Sequence, residues 1–208
     1  MGFDPKEATR VLSKSDKNLG KLIQRVGPFK RKRRGKLDPF QNLTQSIIYQ
    51  QLSGKAASTI HGRVLALFPD YDGPTPDKLL ELPGAQLRAA GMPRAKIASV
   101  QDLARKTQDG VVPSARRKIR KMEDKEIVSC LTEVRGIGEW TVQMMLMFYL
   151  GRPDVMLAGD LGVRKVFQLT YGLDDLPEPA AVIDHGEKWR PYRSIASWYM
   201  WRALELED

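Results

Sequence analysis

The sequence predicts an all-α protein, and two features of the chain lead to this prediction. Helix starts, in which a capping residue precedes proline or an apolar run with helical spacing, recur along the 208 residues, and glycine or proline stops follow them. The alternation of apolar and polar residues that is typical of strands is nearly absent. The length suits one substantial core or two small lobes, and 42% hydrophobic residues are ordinary for a globular protein that folds unaided.

Local signals delimit the predicted helices in chain order. Asp38-Pro39 starts one of them, whose apolar face carries Phe40, Leu43 and Ile47 and which ends near 53–54. Proline and glycine at 82–84 and again at 91–93 interrupt the helical pattern. The further predicted helices span about 55–68, a short segment from 75 to 82, 94–107, the segment from 124 to the turn at 136–138, 141–150, 161–171, 180–187 and 191–206.

The charge balance favours a polyanionic partner. The net charge is +9 and the isoelectric point is near 9.7, so nucleic acid is the first expectation and an anionic membrane surface the second. Six of the seven residues in 30–36 are basic, which indicates either a solvated arm or an arm that follows phosphates, and a second basic group occupies 116–121. No apolar run approaches the ~20 residues that span a bilayer, and no signal sequence is visible, so we expect an intracellular protein.

A glycine-rich turn at 134–138 and the aspartate that follows it are the most informative part of the chain. Gly136 and Gly138 permit positive φ and close backbone approach, and the apolar run from Thr141 to Leu150 predicts a helix directly after them. The bare amides of such a helix start bind anions, although a plain helix–helix turn has the same local pattern. Asp160 precedes another apolar helix and is expected as its N-cap, a role that would also fix an ionised carboxylate.

These residues carry a resemblance to a known family. The stretch VRGIGEWTVQMMLMFYLGRPDVMLAGD and the tail WRPYRSIASWYMW resemble the helix-hairpin-helix DNA glycosylases, and within them the 3-methyladenine DNA glycosylase II family. The similarity runs from about Leu37 to Arg202. Arg135 stands where the family usually has proline, a change that should leave the hairpin amides in place because proline supplies rigidity there and no donor.

The resemblance implies a two-lobed, all-α fold with the active-site cleft between the lobes. One lobe would span about 38–133, the other would combine both termini, and the β-rich N-terminal domain of some relatives would be missing. The chain would then divide into a helical segment with the basic arm that packs with the C-terminal lobe (1–36), a helical lobe with loops that enter DNA (37–133), and a segment with the hairpin, the catalytic aspartate and an aromatic helix (134–208).

The resemblance also implies a monofunctional DNA glycosylase that flips out alkylated bases such as N3-methyladenine and N7-methylguanine and hydrolyses the N-glycosidic bond, which starts base excision repair. Asp160 matches the catalytic aspartate, an anion that stabilises the positive charge on the sugar and positions or deprotonates water. Trp140 occupies the position of the Schiff-base lysine in bifunctional relatives, which predicts no lyase step. The lone Cys130 excludes the four-cysteine iron–sulfur cluster of endonuclease III-like relatives, which argues against a glycosylase for mismatched or oxidised bases.

The resemblance assigns a base pocket and DNA contacts. Trp201 would stack on the base and face Asp160 across the cleft, although an aromatic stripe such as 198–201 is more often core. An indole face favours a cationic alkylated base by ~2 kcal/mol. Trp140 is expected as a pocket wall, with core packing as the alternative. The other expected pocket residues are Tyr49 and Met144, the latter at a position that holds tyrosine in some relatives; the expected DNA contacts are Gln51 or Leu52 as the plug that fills the gap in the duplex, Lys96 on a phosphate, and Gly136, Gly138 and Thr141 at the hairpin.

The expected partner is damaged double-stranded DNA, bound by a monomer without a membrane. The chemistry needs no cofactor, but the resemblance implies a monovalent cation, Na⁺ or K⁺, on the carbonyls of Thr132, Val134 and Ile137. We expect a cytoplasmic, nucleoid-associated protein in a bacterium or archaeon and a nuclear one in a eukaryote.

The alternative from another functional class is a non-catalytic protein that uses the hairpin only as a DNA clamp, and Asp160→Asn would distinguish the two. Glutamines 50 and 51 could also be plain surface residues at a helix end.

Overall fold

The protein is helical throughout the residues that the structure describes. A computed structural model describes residues 3–30, 37–70 and 72–206, and no strand occurs in these ranges, which confirms the all-α prediction. None of the helices in these ranges has the length and apolar character needed to cross a bilayer. The basic arm lies outside the described residues except for Lys30. The α-helices are α1 (Pro5–Ser15), α2 (Lys17–Val26), α3 (Pro39–Tyr49), α4 (Gly54–Leu65), α5 (Pro76–Glu81), α6 (Gly84–Ala89), α7 (Arg94–Gln108), α8 (Arg116–Ile119), α9 (Asp124–Thr132), α10 (Glu139–Met144), α11 (Leu161–Tyr171), α12 (Pro179–Gly186) and α13 (Arg193–Leu204).

Helix α3 begins where the sequence predicts and ends earlier. Asp38 and Gln41 form a capping box, in which the Asp38 carboxylate accepts the Gln41 N–H at 2.8 Å and the Gln41 amide oxygen accepts the Asp38 N–H at 3.3 Å. The helix was expected to reach 53–54, but it stops at Tyr49 because the ψ of Gln50 is 133°, outside the helical region, and Gln51 follows with a φ of +55°. Ser53 instead caps α4, since its hydroxyl accepts the Ala56 N–H at 3.4 Å.

The helix after the glycine-rich turn also differs from the prediction. It starts at Glu139, two residues earlier than Thr141, because the extended backbone of Gly138 serves as its N-cap. From Met145 to Leu150 it continues as a π-helix. At the C-terminus, α13 begins at Arg193 and not at Pro191, since Tyr192 holds the capping position.

Contacts divide the chain into two compact units, and each is described by itself. The central unit comprises 35–145, and its core is formed by α3, α5 and α7 with buried residues such as Leu43, Leu79 and Leu103. The boundary falls after Met145, so the hairpin at 134–138 belongs to this unit and not to the segment 134–208 in which the sequence interpretation placed it. The reason is a set of hydrogen bonds that tie the hairpin to α3 and α7.

The terminal unit comprises 1–34 and 146–208, and it combines both chain ends. Helices α1 and α2 pack with α13, and α11 packs with α2 and α13. Its core contains the fully buried residues Leu12, Leu19, Val163, Trp189 and Tyr199. The terminal unit thus holds Asp160 at the start of α11 and the aromatic residues of α13.

Candidate functional site

The hairpin at 134–138 has two glycines with different roles. Gly136 is needed for the backbone conformation, and Gly138 leaves space for a ligand to approach the backbone. Gly136 has a φ of +76°, which would strain any other residue. A Cβ there would also lie 2.7 Å from the Ser99 hydroxyl oxygen and would displace it. Gly138 was expected to share the positive φ, but its φ is −93° and its ψ 170°. A Cβ at Gly138 would meet no protein atom within 4 Å. Glycine there leaves the first turn of α10 open to close approach by a ligand.

Side chains of the central unit hold this hairpin from two sides. The Gln50 amide donates to the Gly136 carbonyl at 2.9 Å and to the Thr141 hydroxyl at 3.3 Å. The Asp102 carboxylate accepts the Arg135 backbone N–H at 2.8 Å. Thr141 is buried, so its side chain serves the hairpin, and its contact with DNA stays a prediction.

An open pocket of about 630 Å³ lies at the surface beside the hairpin. It brings together most of the residues that the sequence predicts for the base pocket and the DNA contacts. The lining residues are Ser46, Tyr49, Gln50, Gln51, Gly136, Gly138, Trp140, Thr141 and Met144. Trp140 is 44% exposed, which contradicts the alternative that it is a core residue.

The loop after α3 carries the two candidate plug residues, Gln51 and Leu52, and Lys96 holds the start of this loop through hydrogen bonds. Gln51 has the strained positive φ, and Leu52 is 37% exposed. The Lys96 ammonium donates to the carbonyls of Ile48 at 2.7 Å and Gln50 at 2.6 Å, and burial lowers its pKa. Lys96 therefore binds the C-terminal end of α3, where a cation is favourable, and its contact with a phosphate stays a prediction.

In the terminal unit, Asp160 and Trp201 form a hydrogen-bonded pair. Asp160 is 8% exposed and caps α11, since its Oδ1 accepts the Val163 N–H at 3.0 Å. The same oxygen accepts the Trp201 indole N–H at 3.2 Å. The sequence interpretation had Trp201 facing Asp160 across the cleft, but both lie in the terminal unit in direct contact. Gly162 leaves room for the pair, because a Cβ there would lie 3.1 Å from Asp160 Oδ1 and 3.6 Å from the Trp201 ring.

Trp201 also lines an aromatic cavity of about 290 Å³ in the terminal unit. Its indole stacks with Phe148, with the ring centroids 5.9 Å apart and the planes at 25°. Phe3, Phe29 and Trp198 line the same cavity, which Lys30, Met147, Gly151, Arg152, Ser194, Ile195, Arg202 and Glu205 complete. Tyr199, by contrast, is fully buried, so the aromatic stripe of α13 is divided between core and cavity.

The match to a known family covers the hairpin, Trp140 and Asp160. Residues 44–191 match the HhH-GPD superfamily of base excision DNA repair proteins. The chain belongs to this family. Among curated proteins, the HhH-GPD chain is 33% identical over 198 residues to DNA-3-methyladenine glycosylase 1 of Schizosaccharomyces pombe, which covers 95% of this chain and 86% of that protein.

Solved structures agree with this assignment. The HhH-GPD fold superimposes with a TM-score of 0.85 on the S. pombe 3-methyladenine DNA glycosylase Mag1 in complex with abasic DNA, at 32% identity and with coverage of 96% of this chain and 97% of that one. The DNA-3-methyladenine glycosidase of Bacillus halodurans gives a TM-score of 0.82 at 32% identity, with coverage of 95% and 88%.

The three carbonyls expected to bind a cation lie at the start of the HhH-GPD hairpin. The Val134 carbonyl accepts the Ile137 N–H at 3.0 Å, which still leaves a second lone pair. Neutral carbonyl oxygens suit a hard monovalent cation, and the donor set of Thr132, Val134 and Ile137 fits that chemistry. In the described ranges no group of three His, Cys, Asp or Glu residues could hold a metal ion.

The sequence interpretation did not identify Phe148, Gln50 or Asp102. Phe148 lies within the uninterrupted apolar run at 144–150, where no local signal separates a cavity residue from a core residue. Gln50 was weighed only as a surface glutamine, and Asp102 occupies an ordinary position on a charged helix. Their contacts reach the hairpin over 86 and 33 residues of sequence, so no local pattern reveals them.

Proposed function

We propose that this HhH-GPD protein is a monofunctional DNA glycosylase that excises alkylated purines, such as N3-methyladenine and N7-methylguanine, from double-stranded DNA. The pair of Asp160 and Trp201 is the observation that supports this proposal most, because it fixes a buried carboxylate with two N–H donors, one of which comes from an indole that lines an aromatic cavity. Relatives named as 3-methyladenine glycosylases match nearly the whole chain. The protein would act as a monomer in the compartment that holds the genome.

The chemistry assigned to Asp160 follows from the charge that develops in the reaction. The bond between C1′ and the base nitrogen breaks, its electron pair leaves with the base, and the sugar becomes an oxocarbenium-like cation. A fixed carboxylate stabilises that cation more than it stabilises the neutral sugar of the ground state. Asp160 would then orient water towards C1′ and accept its proton. The cap to α11 and the indole donor hold the carboxylate in position.

Selectivity for alkylated bases would come from their charge. A purine nucleoside alkylated at N3 or N7 is cationic, and an indole face attracts a desolvated cation by ~2 kcal/mol more than a neutral ring. Trp201 in the aromatic cavity and the half-exposed Trp140 beside the hairpin are the indoles that we assign to this contact. Tyr49 and Met144 would complete the pocket beside Trp140.

The absence of a lyase step is supported by the residue at position 140. A lyase needs a lysine amine that attacks C1′ and forms a Schiff base, but tryptophan stands in that position. No lysine is found among the described residues that line the pocket beside the hairpin. The product would therefore be an intact strand with an abasic site.

Binding to DNA would begin with the phosphate backbone. The open first turn of α10 presents its amides to a phosphate, with Gly136 and Gly138 allowing the approach. A monovalent cation on the carbonyls of Thr132, Val134 and Ile137 would add positive charge at the same place. Gln51 or Leu52 would fill the gap left by the flipped base and so offset part of the unstacking cost of a few kcal/mol.

Base release from a methylated duplex tests the proposal. Wild type, Asp160→Asn and the control Asp184→Asn, an exposed aspartate of the same unit, are incubated with the duplex, and the free bases are quantified before strand integrity is checked without alkali. We expect release by wild type and by the control, with strands intact. Tight binding without release from any alkylated duplex would favour the non-catalytic clamp, and nicked strands would contradict the monofunctional mechanism.

A further inference from the structure

Helix α7 presents three residues to the hairpin from one face. Ser99, Asp102 and Lys106 are spaced by three and four residues, so their side chains align along the helix. Asp102 Oδ2 accepts the Arg135 N–H at 2.8 Å, and the Lys106 ammonium bridges Asp102, at 3.1 Å, and the Glu133 carbonyl. Ser99 lies against Gly136 so closely that a Cβ at position 136 would displace the Ser99 hydroxyl. The whole turn from 133 to 136 is thus seated on α7.

Asp102 is the residue of this face whose charge binds the backbone N–H of Arg135. Its side chain is 21% exposed. Burial opposes its ionisation, but the Arg135 N–H and the nearby Lys106 and Arg105 outweigh it and hold the pKa of Asp102 below its usual value. A carboxylate that accepts a backbone N–H forms a charge-assisted hydrogen bond, which is stronger than a neutral one.

The backbone at position 135 shows why such a bond is useful. A proline there would have a locked φ and no N–H, so the turn would be rigid by covalent structure. Arg135 has an N–H and a free φ, and fixing one residue's backbone costs ~1–2 kcal/mol of conformational entropy. Asp102 accepts the backbone N–H that arginine has and proline lacks. This hydrogen bond restrains the φ of residue 135, which a proline ring would have locked.

We propose that Asp102 is a positioning residue that orders the hairpin for DNA binding and thereby replaces the rigidity of a proline at position 135. This inference rests on the proposed role of the hairpin amides in binding a phosphate. Asp102 does not touch the DNA in this scheme. It acts through Arg135, and it keeps the amides after Gly136 aimed at one point.

Charge and positioning predict opposite effects of removing Asp102 on DNA binding. An acidic residue beside a phosphate site repels DNA, so its removal should strengthen binding if charge alone mattered. The positioning role predicts the opposite sign. We expect Asp102→Ala to raise the Kd for a duplex that contains an abasic-site analogue by about tenfold, the equivalent of one lost hydrogen bond of this kind. The KM for base release should rise in parallel, while kcat at saturating DNA stays within about twofold because the reacting groups are unchanged.

A proline rescue distinguishes positioning from general damage. Arg135→Pro and Arg135→Ala both remove the arginine charge, but only proline locks φ. In the Asp102→Ala background, we expect the proline variant to bind the duplex at least about fivefold more tightly than the alanine variant. When Asp102 is retained, the Kd values of Arg135→Pro and Arg135→Ala should differ by less than about twofold. Asp109→Ala, at the exposed C-cap of α7, removes the same charge without contact to the hairpin and should leave the Kd unchanged or lower.

The outcomes separate this inference from the proposed function. An unchanged or lower Kd in Asp102→Ala, or equal binding by the proline and alanine variants in that background, would overturn the positioning role even if wild type releases methylated bases. The Kd is read without catalysis, so the rescue is decided even if wild type releases no base and the proposed function fails. If Asp102→Ala does not fold, Asp102→Asn, which retains a neutral acceptor, carries the same rescue test with a smaller expected loss.

Discussion

Asp16 and Asp160 are two capping aspartates of the terminal unit with the same local role and different surroundings. Each starts a helix, α2 or α11, and each is buried, at 6% and 8% exposure. Asp16 Oδ1 accepts the N–H groups of Asn18 and Leu19, as Asp160 Oδ1 accepts that of Val163. Local sequence therefore does not separate them, since both are an aspartate before an apolar helix.

The second oxygen of Asp16 is bound inside the fold. Its Oδ2 accepts the Tyr171 hydroxyl at 2.6 Å and the Trp189 indole at 3.1 Å, and His185 and Lys188 lie at 3.1 Å from it. Asp160 has its indole donor at the wall of a cavity instead. The two caps therefore differ in their surroundings: polar groups of the core enclose the Asp16 carboxylate, whereas the indole that donates to Asp160 lines a cavity.

Replacing each carboxylate by an amide should separate the two roles and has the largest expected effect. Asparagine caps a helix as well as aspartate does, so neither change removes the cap. Asp160→Asn should lower the rate of base release by at least about 100-fold, because the anion that stabilises the sugar cation is lost. Asp16→Asn should keep the rate per folded molecule within about twofold. The measurement is single-turnover base release, and equal losses in both variants would remove the distinction.

The same pair should behave in the opposite way towards denaturant. Asp16→Asn leaves Tyr171, Trp189 and Lys188 directed at an uncharged amide, and we expect the free energy of unfolding to fall by about 2–4 kcal/mol. Asp160→Asn should change it by less than about 1 kcal/mol. Urea unfolding followed by circular dichroism gives both values, with Asp184→Asn as the surface control. A larger loss for Asp160→Asn would show that its environment is structural as well.

Acid should weaken the protein through the Asp16 cluster. Burial opposes the charge on Asp16, but hydrogen bonds from Tyr171, Leu19, Trp189 and Lys188 hold its pKa well below the usual value, and burial lowers the pKa of His185. The unfolded chain takes up protons at these residues near about pH 6.5 and about pH 3.9. Both folded pKa values are depressed, so stability is complete above these pH values and falls as the pH falls through them towards the folded values.

Urea midpoints measured between pH 7 and pH 3 check this dependence. The decline should be weaker below pH 4.5 in Asp16→Asn than in wild type. Parallel curves for wild type and Asp16→Asn would place the acid sensitivity elsewhere in the chain.

The smallest expected effect concerns the donor that orients Asp160. Trp201→Phe retains a ring in the aromatic cavity but removes the indole N–H that binds Asp160 at 3.2 Å. We expect base release to slow by about tenfold, which corresponds to one hydrogen bond to a charged group, and the urea midpoint to change little. Trp198→Phe, in the same cavity, is the matched control and should stay near wild type. An equal loss in both variants would indicate a cavity effect and not a donor effect.

The local sequence by itself determined most of the helices and the residues that cap them. The Asp38 cap, the glycine turn, the cap at Asp160 and the tryptophan at position 140 were all predictable, because capping and backbone conformation depend on residues within about one helical turn. The end of α3 was not, since Gln51 adopts a positive φ that its residue type disfavours.

Only the tertiary structure decided which residues surround these positions. Asp16 meets Trp189 across 173 residues, Asp102 meets Arg135 across 33, and Trp201 meets Asp160 across 41. No spacing rule links such partners, because packing of whole helices brings them together after loops of arbitrary length have closed. The sequence therefore determined where a carboxylate caps a helix, and packing decided that core groups surround Asp16 while the indole bound to Asp160 lines a cavity.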